Sequence, residues 1–157
     1  MAQALETPVR AVACDRSRRR LVEFTALTGQ LVVCDGARPL PFGVRFDKIL
    51  VDAPCSGTGT ISRNPEIKWR VSTGDFLRHR DQQVALVRNA LAALAAGGRL
   101  VYSTCSLEPE ENEQVMEMLL AGTPEANVER VYQRLPGRDP GDGFWAAVIT
   151  SKQSLND

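Results

Sequence analysis

Apolar positions along the chain gather into short unbroken runs, and the runs predict strands. "VRAVACD" (residues 9–15), "GQLVVCDG" (29–36), "FDKILVDAP" (46–54) and "GRLVYSTCS" (98–106) are too short for a helical stripe and do not alternate. Runs of this kind belong to parallel strands buried on both faces. Another strand is expected over 144–150, "FWAAVIT", behind the Gly/Pro loop "GRDPGDG". Between the third and fourth runs the period changes. In "DQQVALVRNALAALAAGG", Val84, Val87, Leu91 and Leu94 share one helical face, and Gly97 and Gly98 mark a stop. After Cys105, "EPEENEQVMEMLLAG" predicts a second helix with Pro109 in its first turn. Glu110, Glu111 and Glu113 would complement its dipole, and Val115, Met118 and Leu119 would form its buried stripe.

Strands alternating with helices make an α/β fold, an open parallel sheet with right-handed crossovers, in which ligands bind beyond the carboxyl ends of the strands. Asp15, Asp35, Asp52 and Cys105 all close predicted strands, and Cys55 lies in the turn just past Asp52. One such residue alone is commonly a turn former or an inert thiol. Five on one edge predict a site. A carboxylate at the end of a strand in a nucleotide-binding half can accept both hydrogen bonds of a ribose diol, which suits Asp15. Asp35, one strand on, would meet the base side of the same nucleoside, and Asp52 the reacting end. "PCSGTG" (54–59) has the glycines of an anion-binding nest but not the lysine of a phosphate loop.

Composition narrows the chemistry. The 157 residues are 43% hydrophobic and 24% charged, enough apolar material for one folded domain. Nineteen basic and nineteen acidic residues cancel, so no global field draws a polyanion and any nucleic-acid contact must be local. Local clusters exist: Arg16, Arg18, Arg19 and Arg20, then Arg63, Lys68, Arg70, Arg78, His79 and Arg80. Either is also compatible with a solvated face. The four cysteines, Cys14, Cys34, Cys55 and Cys105, lack zinc-site spacing, so no metal is expected. There is no secretory leader and no apolar run near ~18 residues, which predicts a cytoplasmic chain with reduced thiols and no membrane contact.

A thiolate is a soft nucleophile whose strength depends on an environment that lowers its pKa. His79 is the only histidine and lies near neither cysteine in sequence, which argues against a Cys/His hydrolase. A target that needs no strong base is carbon 6 of a pyrimidine. Addition there makes carbon 5 nucleophilic, able to take a methyl group from a sulfonium donor.

"VDAPCSGTGTISRNPEIKWR" (51–70) together with "YSTCSLEPEENE" (102–113) closely resembles the Sun/RsmB-type RNA cytosine-5 methyltransferases, in particular their bacterial 16S rRNA branch. The resemblance runs from "AVACDRSRRRL" (11–21) to "GDGFWAA" (141–147), nearly the whole chain. It implies a class I S-adenosylmethionine-dependent methyltransferase fold, Rossmann-like, with S-adenosyl-L-methionine as cofactor and RNA, of ribosomal origin, as partner. By resemblance Asp15 is the ribose acid, Asp35 the acid beside the adenine, and Asp52 the acid near the methionyl and cytosine ends. Cys105 of the Thr-Cys motif is the covalent nucleophile, and Cys55 of the Pro-Cys motif assists breakdown of the adduct. DNA cytosine methyltransferases use the Pro-Cys thiol as nucleophile instead, so the division of roles rests on the family.

Family members carry a first strand and a Gly-rich turn, of the type Ala-Pro-Gly-Gly-Lys, ahead of the "VACD" strand. This sequence shows neither, and its "MAQAL" (1–5) resembles the end of the helix that follows that turn. Residues 1–157 are therefore expected to form a partial catalytic domain, an incomplete fold lacking the first strand and Gly-rich turn. That strand would lie mid-sheet, so two unpaired edges, or two edges forced together, are expected. The segment between Arg20 and Gln30 is short, which predicts a stunted helix. An inactive module that binds RNA or a partner is the competing expectation.

Overall fold

The computed structural model describes residues 10–25 and 30–151. The expectation for residues 1–5 lies outside them. Strand β1 (Val12–Asp15) leads to a single helical turn, α1 (Arg18–Leu21), and a 3-10 turn. The stunted helix is thus seen in its described part. Strand β2 (Gln30–Val33) lies parallel to β1, with Asp15 opposite Val33.

A second sheet holds β3 (Phe46–Asp52), β4 (Leu94–Thr104), β5 (Ala126–Arg134) and β6 (Phe144–Ser151) in the order β3-β4-β6-β5. β3 and β4 run parallel; β6 lies antiparallel between β4 and β5. Among the described residues no ladder joins β1 to β3, so the sheet is split where a central strand was expected to be missing. The two facing edges are not forced together. A cleft of about 920 Å³ opens there, lined by Val12, Leu31, Val32, Phe42, Val44 and Phe46 among others.

Helices α2 (Ile67–Arg70), α3 (Thr73–Ala92) and α4 (Glu113–Gly122) complete the fold. The α3 start is set by Ser72, whose amide donates to the Asp75 carboxylate at 2.8 Å. The helix stops at Ala92, well before Gly97 and Gly98, and Leu94 opens β4 instead of ending the helical face. The two glycines serve a strand irregularity. Gly97 has φ 71°, and a Cβ on Gly98 would lie 2.9 Å from the carbonyl oxygens of Ala95 and Asp47.

One core forms where α3 and α4 cover a face of the second sheet. Val84, Val87 and Leu91 meet Val115, Met116 and Leu119 over Leu100, Tyr102, Trp145, Ala147 and Ile149. Tyr102 and Trp145 stack edge to face with ring centroids 6.0 Å apart. Met116, not Met118, belongs to the stripe, because residues 109–111 form a separate 3-10 turn and α4 begins only at Glu113. Strands β2 and β3 are not buried on both faces as expected: Leu50 is 69% exposed and Val33 also lies open. Within the described residues the helices that pack on β3 cover one side of it.

Candidate functional site

The carboxyl ends of β3 and β4 bring the two cysteine loops together. Parallel pairing sets Asp52 against Ser103, and the Ser103 hydroxyl donates to Asp52 Oδ1 at 3.4 Å. Three residues past Asp52, Cys55 turns back so that its Sγ lies 3.4 Å from Cys105 Sγ. Both thiols are free and half-buried. Their contact splits them electrically. The hydrogen bond from Cys55 lowers the Cys105 pKa to about 7, against burial and the nearby Asp52 and Glu111 charges. The same hydrogen bond, with burial, pushes Cys55 far up. The two shifts run in opposite directions, Cys105 down and Cys55 up, as they must when one sulfur donates to the other.

The glycines of "PCSGTG" act through space as well as torsion. Gly57 takes φ 76°, which turns the loop. Gly59 donates its amide to Cys105 O at 2.9 Å and accepts from the Gly143 amide at 2.8 Å. The "GDG" loop before β6 is thereby keyed to the Pro-Cys loop, and Asp142 adds a bond from Arg63 Nε at 2.7 Å. The Gly59 amide is thus spent within the protein.

The other acids sit on the first sheet. Asp15 Oδ1 accepts from the Ser17 amide at 2.6 Å and meets Arg20 at 3.0 Å. Asp35 Oδ1 accepts from the Ala37 amide at 3.1 Å, and Arg16 reaches its Oδ2 at 3.8 Å. The Cys34 amide donates to Asp15 O at 3.1 Å, so the two acids hang from one ladder end. Helix α3 links this end to the thiols: Asn89 donates to Gly36 O at 3.0 Å, while His79 and Gln83 of the same helix reach the cysteine loops. Asp15 and Asp35 form one group, Asp52, Cys55 and Cys105 another, on matching strand ends. The first basic cluster is partly spent on the acids, through Arg16 and Arg20.

The sequence groups Glu111 with the acids that complement the dipole of the second helix. The residue is instead fully buried and accepts from Ser56, His79, Gln83 and Ser106. Two of its partners, Ser56 and Ser106, are the serines that follow the two cysteines in Pro-Cys-Ser and Thr-Cys-Ser. Of the second basic cluster, Lys68 and Arg70 lie on α2, where Trp69 between them is 88% exposed, while Arg63, Arg78, His79 and Arg80 pair with acids elsewhere. Ile67 of the same turn packs at the site: a Cβ on Gly57 would lie 3.4 Å from Ile67 Cδ1 and 3.9 Å from Cys105 Sγ. Among the described residues no three His, Cys, Asp or Glu side chains gather as a metal site, and no helix is long and apolar enough to cross a membrane.

A family model described as 16S rRNA methyltransferase RsmB/F matches residues 1–150. Ribosomal RNA small subunit methyltransferase B of Vibrio cholerae is 38% identical over 160 residues, an alignment covering 94% of this chain and 37% of that protein. The crystal structure of NSun6 from Pyrococcus horikoshii with SFG superposes with a TM-score of 0.80 at 27% identity, over 92% of this chain and 42% of that one. A methyltransferase homologue from Pyrococcus horikoshii gives 0.75 at 29% identity, over 92% and 53%. The fold is that of the class I S-adenosylmethionine-dependent methyltransferases, present here as a partial sheet. The chain spans little more than a third of the length of the Vibrio cholerae relative.

Proposed function

Because the chain belongs to the 16S rRNA methyltransferase RsmB/F family, we propose that its 157 residues are part of the catalytic domain of a cytoplasmic RNA cytosine-5 methyltransferase acting on ribosomal RNA. The observation that carries this reading is the 3.4 Å contact between Cys55 and Cys105, with the shared bond favouring Cys105 as the thiolate. Nothing in a purely structural pair requires two free thiols to face each other at the carboxyl ends of parallel strands, where substrates bind.

The steps assigned to the chain's own residues are these. The Cys105 thiolate adds to carbon 6 of the target cytosine, and the electrons of the 5,6 double bond pass to carbon 5. Carbon 5 takes the methyl group, which S-adenosyl-L-methionine supplies when bound. Carbon 5 then gives its proton to solvent water, the electrons of that carbon–hydrogen bond re-form the 5,6 double bond, and the carbon–sulfur bond breaks, returning the thiolate. Cys55 is assigned to that second half: its sulfur lies against the leaving sulfur and can donate to it as charge returns.

For the cofactor, Asp15 and Asp35 fit as hydrogen-bond acceptors. Two carboxylates on neighbouring strand ends, both partly open to solvent, can accept from a ribose diol and from the base side of one nucleoside. Asp52 lies toward the thiols and belongs at the reacting end. The RNA surface is assigned to α2, where exposed Trp69 offers a stacking face and Lys68 and Arg70 meet phosphate. The reading is tested in a chain extended to the length of its relatives: Cys105→Ala must abolish cytosine methylation, and persisting methylation would remove Cys105 from the mechanism.

A further inference from the structure

The Pro-Cys loop is fastened at both ends by main-chain bonds to the end of β4. Ala53 donates to Ser103 O at 2.9 Å, and Gly59 donates to Cys105 O at 2.9 Å. Between these points, Pro54, Cys55 and Ser56 have no ladder partner on β4. Their fastenings converge on one carboxylate. The Ser56 amide donates to Glu111 Oε1 at 2.9 Å and its hydroxyl to Oε2. From the other loop, the Ser106 hydroxyl donates to the same Oε2 at 2.6 Å. Helix α3 closes the arrangement: His79 Nδ1 lies 2.8 Å from Oε1, and Gln83 Nε2 bonds both Oε1 at 3.2 Å and Pro54 O at 2.9 Å.

We propose that Glu111 is a positioning residue that locks Cys55 against Cys105 by binding the serine following each cysteine, so that the two thiol loops are held as one unit.

A carboxylate with no exposed surface is an expensive core group, since it must leave water and be fully hydrogen-bonded to stay ionised. Its partners come from three separate segments, the Pro-Cys loop, the Thr-Cys loop and α3, so the carboxylate ties all three together. The orientation of Gln83 shows the same priority. Its NH2 faces two acceptors, and its own oxygen is the buried side-chain polar atom left without a partner among the described residues. The residue is itself held from behind, because Tyr102 donates to Glu111 O at 2.6 Å and Asn112, the next residue, bonds Thr104 and Ser106 O.

Two roles for Glu111 predict opposite signs for one observable. Acting only as a nearby negative charge, it raises the Cys105 pKa, and its removal would lower the midpoint of Cys105 ionisation. Acting as the clamp that keeps Cys55 in donating range, it sustains the largest influence lowering that pKa, and its loss moves the midpoint up. The other charged groups facing Cys105 are Asp52 and Arg63, which Glu111→Gln leaves in place.

The test measures iodoacetamide alkylation of the Cys105-bearing peptide against pH in the folded chain, read by mass spectrometry. The natural chain is expected to give a midpoint of about 7. Glu111→Gln should move it up toward the ordinary thiol value of about 8.5. Ser56→Ala, which keeps the amide bond and removes only the hydroxyl, should move it the same way by less. If Glu111→Gln does not fold, Ser56→Ala decides. A midpoint that falls or stays unchanged in a folded variant overturns the proposal. The inference deepens the covalent reading, yet this measurement needs no catalysis, so loss of the methylation reading and loss of the clamp would be told apart.

Discussion

Gly59→Ala probes the seam between the three loops of the site without touching a thiol. A methyl group at Gly59 would lie 2.7 Å from Gly143 O, 2.8 Å from Cys105 O and 2.8 Å from Gly143 Cα. All three obstacles are main chain, so no side chain can swing aside. To bring these contacts to ordinary carbon separations the loops must part by roughly 0.7 Å or more. That stretches two hydrogen bonds now at 2.8 and 2.9 Å, Gly143 to Gly59 and Gly59 to Cys105, past useful length. Overpacking costs about 1–3 kcal/mol, and each weakened bond about 0.5–1.5 kcal/mol. The expected loss is about 2–6 kcal/mol, a large share of the stability of an ordinary domain. Urea denaturation followed by tryptophan fluorescence measures it, since Trp145 is buried in the core and reports unfolding. Gly43→Ala is the control: a Cβ there meets nothing within 4 Å, and stability should hold or rise slightly. A loss at Gly59 no larger than that at Gly43 would refute the close approach of the loops.

Trp69 should be the tryptophan whose emission an RNA oligonucleotide quenches, because Trp145 is only 1% exposed. Trp69→Ala should remove the quench and weaken RNA binding by about 1–3 kcal/mol, the range of one base–aromatic stack, with Trp69→Phe largely sparing affinity; unaltered affinity in Trp69→Ala would take α2 out of the RNA surface. In a chain of the relatives' length, Asp15→Ala should weaken S-adenosyl-L-methionine binding by about 1–3 kcal/mol by calorimetry. Asp15→Asn can still accept from the Ser17 amide, so comparing the two separates a ligand contact from a strand-end turn, and equal affinity in all three chains would leave Asp15 only the turn.

Parallel strands and their reactive ends were legible because apolar runs and the residues that close them are local features. Asp52, Cys55 and Cys105 meet because β3 and β4 pair in parallel, which the runs around Ile49 and Val101 already imply. Strand β5 left no comparable signal. Its "ANVERVYQR" is largely polar and exposed, as suits an edge strand with one partner, β6. Leu94 looked helical because Leu91 and Leu94 are spaced for a helix, yet the strand takes Leu94, pairing it with Phe46. Tertiary pairing overrode local period there. The burial of Glu111 was illegible for a different reason: its partners Ser56, His79 and Gln83 are 28 to 55 positions away in sequence. A charge among charges gives no hint that distant donors enclose it.

We propose that Cys105 forms the bond to RNA and Cys55 helps release it. It is tested most directly by exchanging each thiol in a chain of the relatives' length and running the protein with its RNA and S-adenosyl-L-methionine on a denaturing gel. Cys55→Ala leaves addition possible but impairs breakdown, so a slow-migrating protein–RNA band is expected. Cys105→Ala and the double exchange should show none. A band in Cys105→Ala but not in Cys55→Ala would contradict the assignment and make the Pro-Cys thiol the nucleophile.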